Sequence, residues 1–433
     1  MIPKARRQKI EEIARRVVER LEREWPEHEA HINELEDLAE RVGREVMHEI
    51  TAELLHEQAA RRKRGHTACA CGGEAAFKGS YLLWLVTLHG RFRVGRPYYY
   101  CDRCQSGACP LDAEWGLGPA NTTPTVQSVV AALSAMVAYV QVPALLRRVR
   151  LPVRLAVKSI EQIAQRVGAQ VAPAPPLVTA KATRPLAVAV DGAMLPLRYG
   201  HHQEVRCGVV YEPDADAGRT PAGEASLRKE YRATTLGSRD DLVRAVCERV
   251  AARRPTPEWP VAALGDGAPW IWEGYARYLP HRVDILDFYH VSERLAILAG
   301  TVYGEGREAA KAALAWQEER RKELQKEGPE PLLSWLRAWE PANAAAAEVK
   351  RQQLGYFEGQ QGRMDYPAYL AAGLPIGSGA VEGACKHLVD DRFRGSGMHW
   401  HPATAEPLLH LRAALLTEPN LDLRRYVSPP NLA

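Results

Sequence analysis

Short apolar runs in the middle of the chain predict a buried sheet. Leu186–Val190 and Val261–Gly265 contain no charged residue, which is typical of strands that are covered on both faces. Three further strand-like runs and two helical runs accompany them: Glu204–Tyr211, Lys229–Leu236, Asp240–Arg253 (helical), Glu273–Leu279 (helical) and Val283–Leu286. Because the chain passes through three strands, a helix, a strand, a helix and a strand, we predict a mixed sheet covered by helices.

This order of elements matches a ribonuclease-H-like core, so the predicted fold class is α/β with a mixed sheet. Residues 304–373 are rich in Ala, Glu, Arg and Leu, and they predict a helical insertion before the last part of the core. The helix that carries Glu382 is predicted to run to about Arg394, where Gly395 and Gly397 end it. A final helix is predicted over Pro402–Leu416.

The first 120 residues predict helices followed by a zinc-ribbon-like hairpin. Apolar residues recur at helical spacing on both sides of Pro26, which predicts two helices that pack on the hairpin or on a second subunit. The runs Tyr81–Leu88 and Arg91–Tyr100 flank the pair His89-Gly90 and predict two antiparallel strands.

Three carboxylates lie next to predicted strand ends or helix starts of the core. Asp191 and Asp266 each follow an apolar run directly, and Glu382 follows the small-residue loop Gly377–Val381. Carboxylates at the ends of buried strands can point into one cleft, where divalent cations relieve their mutual repulsion. Two such cations about 3.5–4 Å apart promote in-line displacement at phosphodiester bonds. The sequence therefore predicts a nuclease or strand-transfer enzyme that uses two Mg²⁺ or Mn²⁺ ions.

Each of these acids also has a structural alternative. An Asp-Gly pair after a strand is a favoured hairpin turn, and this applies to Asp191 and Asp266 taken singly. Glu382 could be a helix-start carboxylate with Ser378 as the N-cap. The order of all three acids along the predicted core favours the catalytic interpretation.

Four cysteines frame the predicted hairpin as two pairs: Cys69 and Cys71, then Cys101 and Cys104. Pairs of thiolates at the ends of a hairpin can close a tetrahedral zinc site. The first pair is one residue shorter than the usual C-x-x-C, so His66 or Cys109 could also supply a ligand. The alternative is four unrelated buried or disulfide-bonded cysteines, and disulfides are not expected in a chain without a secretory signal.

A basic segment between the hairpin and the core predicts a DNA-binding surface. From Pro143 to Arg184 the chain has eight Lys or Arg residues and one acid. Helical runs at Thr125–Tyr139, Pro143–Val149 and Val157–Val167 are separated by tight breaks and predict a helix-turn-helix. The predicted DNA contacts come from this segment and from the hairpin: Arg147, Arg148, Lys158, Arg166, Arg91 and Arg93. The alternative is a solvated helical connector.

Composition agrees with an intracellular DNA-handling protein without requiring one. The chain has 433 residues, of which 46% are hydrophobic, and its formal net charge of +4 discriminates little between partners. No run approaches the roughly 20 apolar residues of a membrane-spanning helix, so we predict no membrane partner and a cytoplasmic location.

Several motifs resemble those of a known family. Gly265–Trp272, Ile285–His290, Arg363–Tyr366 and Leu374–Glu382 are similar, in this order, to motifs of bacterial DDE transposases of the ISKra insertion-sequence group, which belong with Mutator-like elements. Tyr100-Cys101 and Pro110–Leu117 also resemble the N-terminal region of that group. The likeness covers about residues 66 to 417.

The resemblance implies roles for particular residues and partners. Asp191, Asp266 and Glu382 would form the metal-binding triad, and Asp287 and His290 would form the D-x-x-H signature that follows the second Asp. It also implies a homodimer or higher homo-oligomer that pairs two transposon ends, acts on target DNA and resides at the bacterial nucleoid.

Aromatic and imidazole side chains near the acids have two interpretations each. His290 could shape the active site, contact a phosphate or orient the attacking group, or it could be a hydrogen-bonded structural histidine. Trp270 and Trp272 could stack on an unpaired or flipped base, but large aromatics at this spacing are more often core residues.

The predicted organisation places DNA-binding modules before the catalytic core. The segments are N-terminal helices 1–65, zinc-ribbon-like hairpin 66–120, helix-turn-helix-like region 121–171, linker 172–184, first part of the core 185–303, helical insertion 304–373, last part of the core 374–417 and tail 418–433. The predicted function is a DNA transposase of a bacterial insertion sequence. The rival predictions are a structure-selective nuclease without strand transfer and a DNA-binding protein derived from a transposase.

Overall fold

The computed structural model describes residues 4–26, 28–61, 65–171, 180–213, 230–234, 237–377 and 379–427. The chain divides into two compact units. The first extends to Gln170 and resumes at Asp422, and the second spans Val171–Leu421. This division falls beside the predicted linker, whose residues 172–179 lie outside the described ranges. Each unit has a sheet and helices, so the chain is a mixed α/β protein.

The first unit contains a helical pair, an antiparallel sheet and further helices. In chain order they are α1 (Lys4–Glu24), α2 (Ile32–Ala60), β1 (His66–Ala68), β2 (Glu74–Thr87), β3 (Gly90–Cys101), β4 (Ser106–Ala108), α3 (Pro110–Glu114), α4 (Pro124–Met136), α5 (Val142–Arg148) and α6 (Val157–Val171). The predicted N-terminal helices, hairpin and three later helices therefore all form. The connection between α5 and α6 spans residues 149–156, which is longer than the turn of about three to four residues in a helix-turn-helix.

The N-terminal helices pack on the hairpin. Lys9 of α1 forms a salt bridge with Glu53 of α2 at 2.7 Å, which indicates an antiparallel pair. Ala59 of α2 is buried in one hydrophobic cluster with Leu85 of β2 and Phe92 of β3. Of the two packing partners predicted for these helices, the hairpin is the one found within the chain.

The hairpin β2–β3 is a two-stranded ribbon over most of its length. β1 pairs with Glu74–Ala76 alone and β4 with Tyr99–Cys101 alone, so these short strands flank the end of the ribbon that carries the cysteines. At the opposite end Gly90 has φ +128, and a Cβ on it would lie 2.7 Å from Nδ1 of His48. Glycine is therefore required at this turn, where the ribbon approaches α2.

The second unit is built on a five-stranded mixed sheet. Its first elements are β5 (Leu186–Pro196), β6 (His202–Tyr211), β7 (Glu230–Thr234), α7 (Arg239–Arg253), β8 (Val261–Gly265), α8 (Pro269–Tyr278), β9 (Val283–Leu286) and α9 (Phe288–Tyr303). The strand order is β7-β6-β5-β8-β9. β6 is antiparallel to both β5 and β7, whereas β5, β8 and β9 are parallel. The predicted order of strands and helices is the observed one.

Two elements of this sheet differ in length from their predictions. β5 does not end at Asp191 but continues to Pro196, because β6 pairs with it along the whole extension. α8 begins at Pro269, earlier than predicted, and proline is well suited to the first turn of a helix because its φ is already fixed.

The remainder of the second unit is helical, as predicted for the insertion and the end of the core. Its helices are α10 (Arg307–Glu327), α11 (Glu330–Ala338), α12 (Ala344–Gln360), α13 (Tyr366–Ala371), α14 (Gly379–Cys385), α15 (Asp391–Phe393) and α16 (Pro402–Thr417). A π-helical turn, Lys386–Asp390, joins α14 to α15. Leu423 and Val427, in the predicted tail, are buried and belong to the first unit.

Candidate active site and cysteine cluster

The parallel strands bring acidic residues to one edge of the second sheet. β5, β8 and β9 run in the same direction, so their carboxyl ends face the same side. Asp266 follows β8 and Asp287 follows β9. Asp191 lies in β5 just beyond its last pairing with β8, which joins Ala189 to Leu264. Ligands of open α/β sheets bind at such carboxyl ends.

Asp191 is held inside a strand and is not part of a turn. It pairs with Cys207 of β6, so the alternative of an Asp-Gly hairpin turn is wrong at this position. The backbone N–H of Gly192 donates to its Oδ1 at 2.7 Å, and the thiol of Cys385 on α14 lies 3.9 Å from its Oδ2. These contacts leave most of the acceptor capacity of the carboxylate for another ligand.

Asp266 lies in the connection between β8 and α8, and side chains of α12 hold this connection in place. Its Oδ1 accepts a hydrogen bond from Ala268 N at 2.8 Å, and Gly267 adopts φ +101. Two side chains of α12 bind the same backbone: Tyr356 Oη donates to the carbonyl of Asp266 at 2.7 Å, and Gln360 Nε2 donates to that of Gly267 at 3.1 Å. The hairpin alternative is wrong here also, because a helix follows the strand.

Asp287 and His290 lie at the start of α9. Asp287 is 1% exposed, its backbone N–H donates to the carbonyl of Gly265 at 2.9 Å, and its Oδ1 caps the helix by accepting from Tyr289 N. His290 Nε2 lies 3.7 Å from Oδ2 of Asp287, and its Nδ1 lies 3.2 Å from Glu293 Oε2. Asp287 is therefore a structural cap that also orients the imidazole.

Glu382 reaches this edge from the first turn of α14. α14 packs on β5 and β6, and the segment before it is tied to α9 by a hydrogen bond from Phe288 N to Ile376 O at 2.9 Å. The side chain of Glu382 is exposed. Ser378, predicted as the N-cap, lies outside the described residues.

The pKa shifts indicate that these side chains share one electrostatic environment. Burial raises the pKa of Asp191, and Asp266 and Asp287 add to the rise. Partial desolvation and then Asp287 raise the pKa of Glu382, although its side chain is exposed as a whole. Burial lowers the pKa of His290, but Asp287, Asp191 and Glu293 together outweigh burial and the net shift is upward. Carboxylates close enough to raise the pKa values of Asp191 and Glu382, with an imidazole among them, form a site suited to cations.

The carboxylates are too widely spaced to share a single ion tightly. Among the described residues, the four cysteines are the compact group of candidate metal ligands, and Asp191, Asp266 and Glu382 do not form such a group. Carboxylates that repel one another are expected to draw together only when cations bind between them. The donor set of oxygens also suits Mg²⁺ or Mn²⁺.

Asp191→Asn is expected to stabilise the fold at neutral pH in the absence of added metal. Burial raises the folded-state pKa of Asp191 above its ordinary 3.8, so its stabilising contribution is complete below 3.8 and is lost as pH rises through the raised value. The variant should melt at a higher temperature than the intact protein at about pH 7.5, with a smaller difference at about pH 4. Thermal unfolding at both pH values measures this, and a variant that melts lower at the higher pH would contradict a buried charge.

The four predicted zinc ligands come together at one end of the ribbon. Cys69 and Cys71 lie between β1 and β2, while Cys101 ends β3 and Cys104 follows it. Sγ of Cys69 is 3.5 Å from Sγ of Cys104, Sγ of Cys71 is 3.7 Å from Sγ of Cys101, and all four lie within 4.8 Å of one another. A tetrahedral site with Zn–S bonds of about 2.3 Å has sulfur–sulfur edges of about 3.8 Å, so the cluster has the size of a zinc site.

The chemistry of the cluster also fits a divalent metal ion. Hydrogen bonds from Ser106 and then Cys69 lower the pKa of Cys104 to about 6, so this thiol ionises near neutral pH. Adjacent thiols that cannot all ionise together are stabilised as thiolates when a cation binds. Cys109 and His66, the alternative ligands, lie outside this group.

The predicted DNA-contacting residues are all exposed and all lie in the first unit. They occupy three elements: Arg91 and Arg93 on β3, Arg147 and Arg148 at the end of α5, and Lys158 and Arg166 on α6. Lys158 forms a salt bridge with Glu161 at 2.9 Å. Within the described part of the chain the arginines of this set form no ion pair, so their charges are available to a polyanion.

The two tryptophans of α8 have different environments. Trp272 is 6% exposed, and the guanidinium of Arg363 lies 4.6 Å from its ring centroid, which favours the core alternative. Trp270 is partly buried beneath the guanidinium of Arg239, at 5.3 Å.

Sequence reasoning missed three residues at the site. Tyr356 and Gln360 lie about 90 residues beyond the Asp266 turn that they hold, and no local pattern connects them to it. Cys385 follows Glu382 by three positions, so the two residues share a face of α14. This spacing is present in the sequence and could have indicated that Cys385 lies at the site.

Comparison with known proteins gives a family without an assigned activity. A model described as an uncharacterised protein family, UPF0236, matches residues 21–345, a range that contains Asp191, Asp266, Asp287 and His290 and ends before Glu382. No curated protein matches the chain. None of the described helices is both long and apolar enough to span a membrane.

Proposed function

The chain belongs to the uncharacterised protein family UPF0236, and on that premise we propose a function from its own site. We propose that it is a DNA transposase of a bacterial insertion sequence, which binds the element ends and catalyses metal-dependent cleavage and strand transfer. The observation that carries this proposal is the convergence of acids from separate segments at one sheet edge, with an imidazole among them: Asp191, Asp266, Asp287, His290 and Glu382.

The strand order supports a ribonuclease-H-like core for the second unit. Such a core requires three antiparallel strands followed by two strands parallel to the first, with acids at the carboxyl ends. The order β7-β6-β5-β8-β9 and its pairing directions agree with that requirement. The long helical segment before α14 is then an insertion, and α12 makes it part of the site through Tyr356.

The residues at the sheet edge have distinct parts in the proposed reaction. Mg²⁺ or Mn²⁺ ions bound there would supply charge neutralisation and an activated oxygen nucleophile. Asp191, Asp266 and Glu382 would hold these ions through their carboxylates. Asp287 stays hydrogen-bonded to the start of α9 and orients His290. His290, whose pKa is raised by the neighbouring carboxylates, would donate a hydrogen bond from its imidazole to a phosphate oxygen.

The proposed reaction has two displacements at phosphorus. Water attacks a phosphodiester at the element end, and the P–O bond to the 3′ oxygen breaks to leave a 3′ hydroxyl. That hydroxyl then attacks a phosphodiester of target DNA and is joined to it, while the target strand leaves with its own 3′ hydroxyl. Positioning and charge neutralisation lower both barriers, so the protein forms no covalent bond to DNA.

The first unit is proposed to recognise the element ends. One Zn²⁺ held by Cys69, Cys71, Cys101 and Cys104 would make the hairpin a zinc-ribbon-like module. The arginines of the ribbon, α5 and α6 would contact DNA. We further propose that the chain works as a homodimer or higher homo-oligomer, with transposon-end and target DNA, at the nucleoid in the bacterial cytoplasm.

Tyr356→Phe is expected to raise the Mg²⁺ concentration that the proposed site requires for DNA cleavage. The hydroxyl holds the backbone of Asp266, and the guanidinium of Arg294 lies 3.4 Å from the centroid of the Tyr356 ring. Removing a hydrogen bond worth about 0.5–1.5 kcal/mol should raise the Mg²⁺ concentration for half-maximal DNA cleavage by about 2- to 12-fold. Tyr278→Phe removes a surface hydroxyl that binds Asp240 and is the matched control. Identical Mg²⁺ dependence of the two variants would argue against the positioning role.

The proposed function is tested by incubating the intact protein and Mg²⁺ with labelled DNA that carries the sequences flanking its gene, together with a plasmid target. The proposal predicts cleaved ends that become joined to the plasmid. Cleavage that stops at nicks would favour the structure-selective nuclease. Binding without any cleavage would favour a DNA-binding protein derived from a transposase.

A further inference from the structure

The ribbon β2–β3 has an outer face that the packing of the protein does not explain. Residues directly opposite each other in an antiparallel pair project from the same face. Trp84 is opposite Arg93, and Leu82 is opposite Gly95, so these side chains share one face of the ribbon. Leu82 is 57% exposed and Trp84 is 52% exposed. Large apolar side chains that are exposed together on neighbouring strands often mark a binding surface, whereas single exposed apolar residues are common.

The inner face of the same ribbon is packed where it approaches α2, and only its far end, at Tyr81, is exposed among the described inner-face residues of that stretch. Leu85, Phe92 and Val94 alternate with the exposed residues, and they are buried with Ala59 of α2 and with Leu111. The ribbon is therefore a half-buried sheet in which one side is packed within the chain. Its outer side is available to a partner at Leu82 and Trp84, whereas Val86 on that side is buried beside Thr122.

Basic groups surround the exposed apolar residues. The guanidinium of Arg91 lies 5.3 Å from the centroid of the Trp84 ring, and Arg93 is exposed beside it. Neither arginine is ion-paired within the described ranges, whereas Arg96 on the inner face is salt-bridged to Asp112. The sequence from Gly79 to Pro97 contains no Asp or Glu. This uniform positive charge complements a polyanion and not a mixed protein surface.

The shape of the ribbon fits a groove of duplex DNA. Among the described residues, the stretch of the ribbon that carries Leu82 and Trp84 consists of β2 and β3 side by side, and the next backbone contact along β2 is the bridge between Val86 and Thr122. Neighbouring strands are about 4.8 Å apart, and the major groove, about 12 Å wide, admits a two-stranded ribbon.

We infer that Leu82, Trp84, Arg91 and Arg93 form a docking surface for duplex DNA, here named the ribbon patch. Arg91 and Arg93 contact phosphates, while Trp84 and Leu82 lie against the base edges and sugars of the groove. The inference rests on the proposed function for its biological role, and it deepens that function by naming a surface that holds the DNA. Single-stranded DNA and protein partners are alternatives that the test separates.

The test measures binding of the full-length protein to a labelled random-sequence duplex of about 30 base pairs, by anisotropy over a series of salt concentrations. The double variant Arg91→Ala with Arg93→Ala should lower the slope of log affinity against log salt by about 1.8, because two phosphate contacts are lost. Trp84→Ala should weaken binding about 5-fold or more. Trp25→Ala removes a tryptophan that is 66% exposed on the same unit and is the matched control, for which no change is expected.

Three outcomes would overturn the inference. The first is that affinity and salt slope stay unchanged in the ribbon-patch variants while their zinc content and melting temperature match the intact protein. The second is that the variants lose binding to a single-stranded oligonucleotide but not to the duplex. The third is that they alter sedimentation without altering DNA binding, which would make the patch a protein interface.

The same experiment separates failure of the ribbon patch from failure of the proposed function. If the variants bind duplex DNA like the intact protein and DNA is still cleaved, only the assignment of the ribbon patch is wrong. If the intact protein binds no duplex even at low salt, both the ribbon patch and the proposed function fall. Because the double arginine variant leaves Trp84 in place, its salt slope reports the loss of phosphate contacts even if Trp84→Ala destabilises the ribbon.

Discussion

Asp266→Asn is expected to lower the rate of Mg²⁺-dependent DNA cleavage by at least about 1000-fold, because the proposed metal ligand, worth several kcal/mol of transition-state stabilisation, loses its charge. The substitution keeps the size of the side chain, and the amide oxygen can still accept the hydrogen bond from Ala268 N. DNA affinity should remain unchanged, since the DNA-binding residues proposed here lie in the other unit. Single-turnover cleavage at saturating protein separates these two effects.

Asp284→Asn is the matched control for this variant. Asp284 lies on β9 of the same sheet, but it is ion-paired with Arg282 at 2.7 Å and is not among the acids that shift the pKa of Asp191 or Glu382. It should retain cleavage within a few-fold of the intact rate. Equal losses in Asp266→Asn and Asp284→Asn would mean that damage to the sheet, and not loss of a metal ligand, explains the result.

Cys101→Ser is expected to abolish stable zinc binding and with it the order of the ribbon end. β1 and β4 have three residues each, which is too short for independent stability, so zinc bound by the cysteine cluster is expected to stabilise their pairing with β2 and β3. Binding of structural zinc contributes about 10–16 kcal/mol in small zinc-dependent folds, and loss of one of four ligands removes a large part of it. Elemental analysis should find one zinc per intact chain and a substoichiometric amount in the variant. DNA binding should fall in parallel.

Cys109→Ser controls for the loss of a thiol near the cluster. Cys109 is outside the group of four, and burial raises its pKa, which disfavours a thiolate ligand. This variant should keep its zinc and its DNA affinity. An intact protein that contains no zinc after purification without chelators would contradict the assignment of the cluster.

The sheet of the second unit could be predicted because its pattern is local. Leu186–Val190 and Val261–Gly265 are runs that only a strand covered on both faces explains, and each carries its acid directly after it. The length of β5 could not be predicted in the same way. Gly192 and the residues after it lack an apolar alternation, and they are held as a strand by pairing with β6.

The neighbours of the acids could be predicted only in part. Asp191, Asp266 and Asp287 follow from strand direction, since parallel strands place their carboxyl ends together. The hydrogen bond from Tyr356 to Asp266 could not be predicted, because it depends on how α12 folds back over the sheet. This tertiary contact leaves no periodic pattern in the sequence. The grouping of the four cysteines could be predicted, because the hairpin brings its two ends together. The spacing alone did not exclude Cys109 as a zinc ligand.

The location of bound metal tests the central claim most directly. Crystals of the intact protein with duplex DNA and Mn²⁺ would reveal the ions by their anomalous scattering. The account predicts two Mn²⁺ ions about 3.5–4 Å apart, held by Asp191, Asp266 and Glu382 at the carboxyl edge of the sheet. Mn²⁺ bound elsewhere, or no Mn²⁺ at these carboxylates at saturating concentration, would contradict it.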